Sequence, residues 1–200
     1  MDFLFIIIIL IMSVVIHEVS HGYAALALGD PTAKYQDRLT LNPLSHLDPV
    51  GSFLIPLLGY FMGGFIIGWA KPVPLNPFNL RNQKWGEALV SIAGPLANIA
   101  LAVIFGLVIR FSLGFTQSFL DLAKFVVIIN ITLAIFNLIP IPPLDGSKIL
   151  FAFLPYKIQR LRESLEKFGL VLVLIFIFFV WQILNPMISY LFTLLTGVAV

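Results

Sequence analysis

His17-Glu18-Val19-Ser20-His21 stands inside the run SVVIHEVSHGYAALAL, among otherwise apolar neighbours. In a helix, positions i and i+4 lie about 40° apart around the axis and about 6 Å apart along it. His17 and His21 can therefore reach one ion. Glu18 sits about 100° around from His17, beside such an ion without having to ligate it. The pattern H-E-x-x-H pairs two zinc-binding imidazoles with a glutamate that serves as general base. Ser13 and Ala24 extend the same face, so the stripe points into protein rather than lipid. The competing reading is a polar cluster that ties helices together. Ionisable residues of the charged types cost about 2.5–3.5 kcal/mol each near the centre of a membrane helix. Three such groups in one turn need an offsetting partner, and a bound cation supplies it.

A catalytic zinc takes three protein ligands and keeps one position open for water. Asp145 is the best third ligand. It follows a stretch holding Asn137, Pro140, Pro142 and Pro143, where prolines end a helical segment and let a side chain turn inward. Gly146 allows close backbone approach. A helix-capping role is the alternative for Asp145. His46 and Asp48 are rival ligands, in a loop with Asn42, Pro43 and Pro49 where turn formation explains them equally well. Asn98, in Ala93-Gly94-Pro95-Leu96-Ala97-Asn98, reads as an interhelical hydrogen-bonding residue beside small residues that let helices approach. Asn137 suits either packing or the holding of a substrate carbonyl.

The elements that must position these groups are membrane helices. The 200 residues are 60% hydrophobic and 11% charged, with mean hydropathy +1.01, whereas soluble domains carry about 25% charged residues. The expected fold is an all-α polytopic membrane protein. It has about five spanning helices, near 3–28, 87–110, 119–139, 168–184 and 186–200, the last two joined by a turn at Asn185-Pro186. One domain over 1–200 is expected, with a catalytic core over about 3–150. An interfacial helix at 156–168 and a helical hairpin complete it. Asp2, the length of the first apolar run and the lack of an A-x-A site favour a retained first helix over a signal peptide. There are no cysteines, which excludes disulfides and thiolate metal sites. A net charge of +2 fits loop lysines and arginines and gives no nucleic-acid surface.

Loop 140–168 holds Lys148, Lys157, Arg160, Arg162 and Lys167, which places it in the cytoplasm by the positive-inside rule. Two spans back, Lys71, Arg81 and Lys84 place loop 71–86 on the same side. Segment 51–70 is apolar but contains Pro56, Gly59, Gly63, Gly64 and Gly68, against a continuous helix. A full crossing there would also separate His17 and His21 from Asp145. The expectation is a re-entrant, partly extended segment near 51–73, tolerated only where it packs on protein or lines a wet cavity.

Together these stretches resemble the site-2 protease family of intramembrane zinc peptidases. The resemblance rests on HEVSH at 17–21, SIAGPLAN at 91–98 and FNLIPIPPLDG at 136–146. GWAKPVPLNP at 68–77 is similar to the family's membrane-dipping strand region. It covers most of residues 10–150 and points to the compact subgroup without regulatory domains. It implies one Zn2+ per chain on His17, His21 and Asp145, with Glu18 as base and proton shuttle. It favours substrate contact for Asn137 and supports the re-entrant segment. It further implies cleavage of single-span membrane substrates within or near the bilayer, usually after an earlier cut has removed an outer domain. The site would open to the cytoplasm, and the partners would be transmembrane substrates and lipid. A substrate strand added near 65–73 would hold the scissile segment extended. The competing class is a membrane zinc-binding or zinc-transport protein, and a silent scaffold is a third. Transport needs further ligands along a path, and only three histidines exist.

Overall fold

The long apolar runs of the sequence fold as helices because lipid leaves backbone N–H and C=O groups no other partner. The structure is a computed structural model that describes residues 3–48, 50–51, 70–111, 114–155, 162 and 165–199. Six helices carry the argument: α1 Phe3–Ala27, α2 Thr32–Tyr35, α3 Gly86–Arg110, α4 Gln117–Asn137, α5 Asp145–Phe153 and α6 Gly169–Thr196. No strand occurs among the described residues. Three helices, within α1, α3 and α4, are long and apolar enough to cross a membrane. Their bounds fall within two residues of the first three expected spans.

The expected hairpin at the C-terminal end requires correction. Residues 169–196 form one continuous helix of 28 residues with Pro186 inside it, so Asn185-Pro186 is not a turn. Proline removes one helical hydrogen bond, whereas two helix ends would expose about four unpaired groups each. In lipid the second cost is the larger. The expected count of about five spans is accordingly not reached among the described residues. The α6 helix closes at Gly197, whose φ of 74° needs no Cβ to be avoided. Pro186→Ala is therefore expected to keep helix content and to leave thermal stability equal or higher. Circular dichroism and a melting curve in nanodiscs check this, and a loss of stability would favour a structural turn.

Helix α3 is the hub, packed against α1, α4, α5 and α6. Ala102 and Ile109 of α3, Val127 and Ile131 of α4, and Ile188 and Phe192 of α6 form one buried apolar cluster. Small residues set the close approaches. A Cβ on Gly106 would stand 2.9 Å from the Leu195 Cβ. The segment after α4 runs through Pro140, Pro142 and Pro143 into α5. There a Cβ on Gly146 would collide with the carbonyls of Leu138 and Ile139, and only glycine allows that approach.

Most of the re-entrant expectation at 51–70 lies outside the described residues, as does most of the interfacial helix at 156–168. Residues 162 and 165–167 of the latter are helical, and Arg162 pairs with Glu87 of α3 at 2.9 Å. Residues 70–76 are described, and they carry neither helix nor strand.

Fully buried Asp30, just past α1, anchors that segment. Its carboxylate accepts from Asn76 N at 2.7 Å, Asn79 Nδ2 at 2.8 Å, Thr32 N at 3.1 Å and the Thr32 hydroxyl at 2.5 Å. Burial acts to raise the Asp30 pKa, but the hydrogen bonds from Thr32, Asn79 and Asn76 outweigh it and hold the group below the ordinary aspartate value. A carboxyl with a depressed folded pKa contributes stability that is present above the unfolded value, near 3.9. That contribution is lost as pH falls through the folded value. Melting curves between pH 7 and pH 3 should therefore fall off below about pH 4. Asp30→Asn should be less stable at pH 7 and should lack this part of the acid dependence.

Candidate metal centre

Helix α1 presents His17 and His21 one turn apart, on the face packed against α3. On α3 the facing residue is Gly94. A Cβ there would lie 2.5 Å from His21 Nε2 and 2.6 Å from His17 Nε2, so the missing side chain makes room for both rings. Helix α5 begins at Asp145, whose carboxylate turns back toward α1. Its Oδ2 lies 3.2 Å from His17 Nε2 and 3.1 Å from His21 Nε2. The two Nε2 atoms approach to 3.0 Å. Asp145 is thus a first-turn residue of α5 with its side chain aimed away from the helix, not a cap, and Leu144 is the N-cap.

The other ring nitrogens decide what those three atoms are. His17 Nδ1 lies 2.6 Å from Asn98 Oδ1, and His21 Nδ1 lies 2.8 Å from Val90 O. Both partners accept, so both Nδ1 atoms donate. Each neutral imidazole then carries a lone pair on Nε2. Two ring lone pairs and a carboxylate oxygen therefore converge, with all three ligand atoms within 4.8 Å of one another. Asp145 Oδ2 is buried with no hydrogen-bond partner among the described residues. Such an arrangement is repulsive unless a cation lies between the donors. Two imidazoles and one carboxylate form a donor set suited to zinc. The residues present fit the metal.

Glu18 is half-buried and stays outside this ligand group. Its Oε2 accepts from Val73 N at 2.9 Å. That segment is held from its other contacts too: Lys71 N donates to His46 O at 2.8 Å, and Arg38 Nη2 donates to Lys71 O at 2.7 Å. The backbone groups that an added substrate strand would use at 71–73 are therefore largely engaged already. Pro72 and Pro74 have no N–H to offer. Strand addition would have to use residues before 70, which lie outside the described residues.

The rival ligands go elsewhere. Buried His46 places Nε2 2.9 Å from Thr40 O, and Asp48 accepts from Val50 N at 2.9 Å and Gly51 N at 2.6 Å. Those are turn contacts. Asn137 donates from Nδ2 to Leu133 O at 3.0 Å within its own helix and makes no hydrogen bond to the His-His-Asp group. Sequence reasoning missed three features. Asn98 bonds a candidate ligand directly rather than only joining helices. Val73 acts through its backbone, which leaves no side-chain signal. Lys148 Nζ lies 3.7 Å from Asp145 Oδ1, and its i+3 spacing from Asp145 could have flagged it. Lys148 also lines a cavity of about 980 Å³, together with Gln83, Glu87, Phe151, Phe153 and Arg162.

Residues 114–180 match the model of peptidase family M50, a span that holds Asp145 but not the two histidines. The chain is 37% identical over 199 residues to YwhC of Bacillus subtilis, whose name assigns it provisionally to the zinc metalloproteases. The match covers 90% of this chain and 86% of YwhC. Rip2 of Mycolicibacterium smegmatis, named in the same way, is 31% identical over 173 residues, or 82% of this chain and 63% of Rip2. MJ0392 of Methanocaldococcus jannaschii, a zinc metalloprotease by name, is 28% identical over 157 residues. That match spans 78% of this chain and 36% of MJ0392. No solved structure matches the chain.

Proposed function

The chain belongs to peptidase family M50, the site-2 proteases, and we propose that it is a zinc enzyme that cuts membrane-spanning substrates within or near the bilayer. A multi-pass membrane metalloprotease is the coarser statement, carried by the family and the apolar helices. The single observation behind the finer one is the convergence of His17, His21 and Asp145 inside the bundle of apolar helices, with Glu18 next to His17 in the chain.

In this reading His17, His21 and Asp145 hold one Zn2+. When bound, the metal polarises the scissile carbonyl and makes water acidic enough to attack at neutral pH. Glu18 takes the proton from that water at its carboxylate and delivers it to the leaving amine. The Val73 N–H holds the carboxylate in place while leaving it further lone pairs for water. Asn137, at the end of α4, is assigned to substrate contact through its amide. Lys148 lies 3.7 Å from Asp145 Oδ1 and also lines the 980 Å³ cavity, which supports reading that cavity as the aqueous approach. By the positive-inside argument this approach is cytoplasmic. The metal-transport alternative gains no further ligand cluster among the described residues.

The test is cleavage of a single-span peptide in nanodiscs, with the cut mapped by mass spectrometry. Zinc-dependent cleavage inside or within a few residues of the span is expected. Cleavage only of soluble peptides, or unimpaired by chelation, would reject the proposal.

A further inference from the structure

We propose that Asn98, oriented by Asn130, is a positioning residue that sets the tautomer of His17 and so aims its Nε2 lone pair at the metal. The proposal rests on the zinc reading above. Three helices meet in this group: α1 supplies Ser13 and His17, α3 supplies Asn98, and α4 supplies Asn130. Both asparagines are 0% exposed and Ser13 is 3% exposed, so no bulk water competes.

The hydrogen bonds have one direction. Val126 O can only accept, and Asn130 Nδ2 donates to it at 2.8 Å and to Ser13 Oγ at 2.9 Å. That fixes Asn130 Oδ1 as an acceptor, and Asn98 Nδ2 donates to it at 2.7 Å. Asn98 Nδ2 also faces Ser13 O at 3.4 Å. Asn98 Oδ1 is then left to accept from His17 Nδ1 at 2.6 Å. Turning Asn98 over would set its oxygen against Asn130 Oδ1 and Ser13 O, and its NH₂ against His17. Righting the first clash would require Asn130 to turn as well, against Val126 O. The backbone carbonyl of Val126 thereby determines the state of an imidazole three contacts away, through Asn130 and Asn98. His21 needs no such device, because its partner is a backbone carbonyl. Partners of this kind hold a metal-ligating ring in orientation and raise its basicity.

A group that only glues helices would affect stability, not the metal. The full chain in nanodiscs is therefore examined by zinc affinity from chelator competition, by the visible spectrum of the Co2+ form, and by thermal unfolding. Asn98→Ala is expected to weaken zinc binding about 10- to 100-fold and to shift the Co2+ bands. Asn98→Asp, buried against Asn130 Oδ1 and Ser13 O, is expected to stand as the neutral acid, its O–H donating to Asn130 Oδ1 and its other oxygen accepting from His17 Nδ1. It should bind zinc about as tightly as the unmodified chain. Asn130→Ala should lower stability with a smaller loss of affinity than Asn98→Ala. Unchanged affinity and Co2+ bands in Asn98→Ala would overturn the proposal. So would a fall of about 10-fold or more in Asn98→Asp, which decides the matter even if the alanine variant does not fold. Loss of zinc in His17→Ala is the control for the underlying reading. Zinc retained there would remove that reading, and with it the proposal, whereas zinc lost there but kept in Asn98→Ala removes the relay alone.

Discussion

Glu18→Gln is expected to bind zinc as the unmodified chain does and to cut substrate about 10²- to 10⁴-fold more slowly, the range for loss of a general base. The substitution is nearly isosteric. The glutamine side-chain oxygen still accepts from Val73 N, so the tie to the 70–76 segment survives. Glu18 lies outside the ligand group, so metal content should not change. Because the proton moves only as water attacks, the loss should fall on kcat, with KM held. Zinc content by mass spectrometry and cleavage rates in nanodiscs measure both halves. A transporter would instead show altered metal flux, and a scaffold would be indifferent. Peptides that co-purify with this variant would also identify substrates.

Gly94→Ala should be nearly as damaging, for a different reason. The new methyl carbon would lie 2.5–2.6 Å from both Nε2 atoms, where ordinary contact begins at 3.4 Å. The atoms in its way are the proposed ligand atoms themselves, so no flexible side-chain end can yield. Either α1 and α3 separate by about 1 Å or both rings leave the metal position. A displacement of about that size costs on the order of 100-fold in rate, and zinc affinity should fall with it. Gly106→Ala is the matched control. Its Cβ would meet Leu195 at 2.9 Å on the same helix but far from the site. It should lower stability by about 1–3 kcal/mol of overpacking and leave zinc bound. Equal zinc loss in both variants would mean that helix packing in general, not the Gly94 cradle, governs the metal.

What could be read from the sequence is what local geometry encodes. The i, i+4 spacing of HEVSH becomes a shared face in any helix, and apolar runs of 21–25 residues become the helices α1, α3 and α4. Asp145 was legible because prolines stop α4 and force the chain to turn just before it. The partner of His17 was not, since Asn98 is 81 positions away and their meeting depends on how α1 and α3 pack. The same applies to Asn130, although an amide in the middle of an apolar span should itself have raised the question. Val73 contributes only a backbone N–H, to which the side-chain pattern is blind. Pro186 misled because proline is a helix breaker in water, where an opened helix end can be hydrated, and lipid reverses that preference.

The central claim is that one zinc is held by His17, His21 and Asp145. Zinc K-edge X-ray absorption on the purified chain, alongside Asp145→Ala, tests it most directly. The account predicts about one zinc per chain with two imidazole ligands and oxygen ligands completing a four-coordinate shell, and loss of metal or of one oxygen ligand in Asp145→Ala. An unchanged spectrum and zinc content in Asp145→Ala, or a shell without two imidazoles in the unmodified chain, would contradict it.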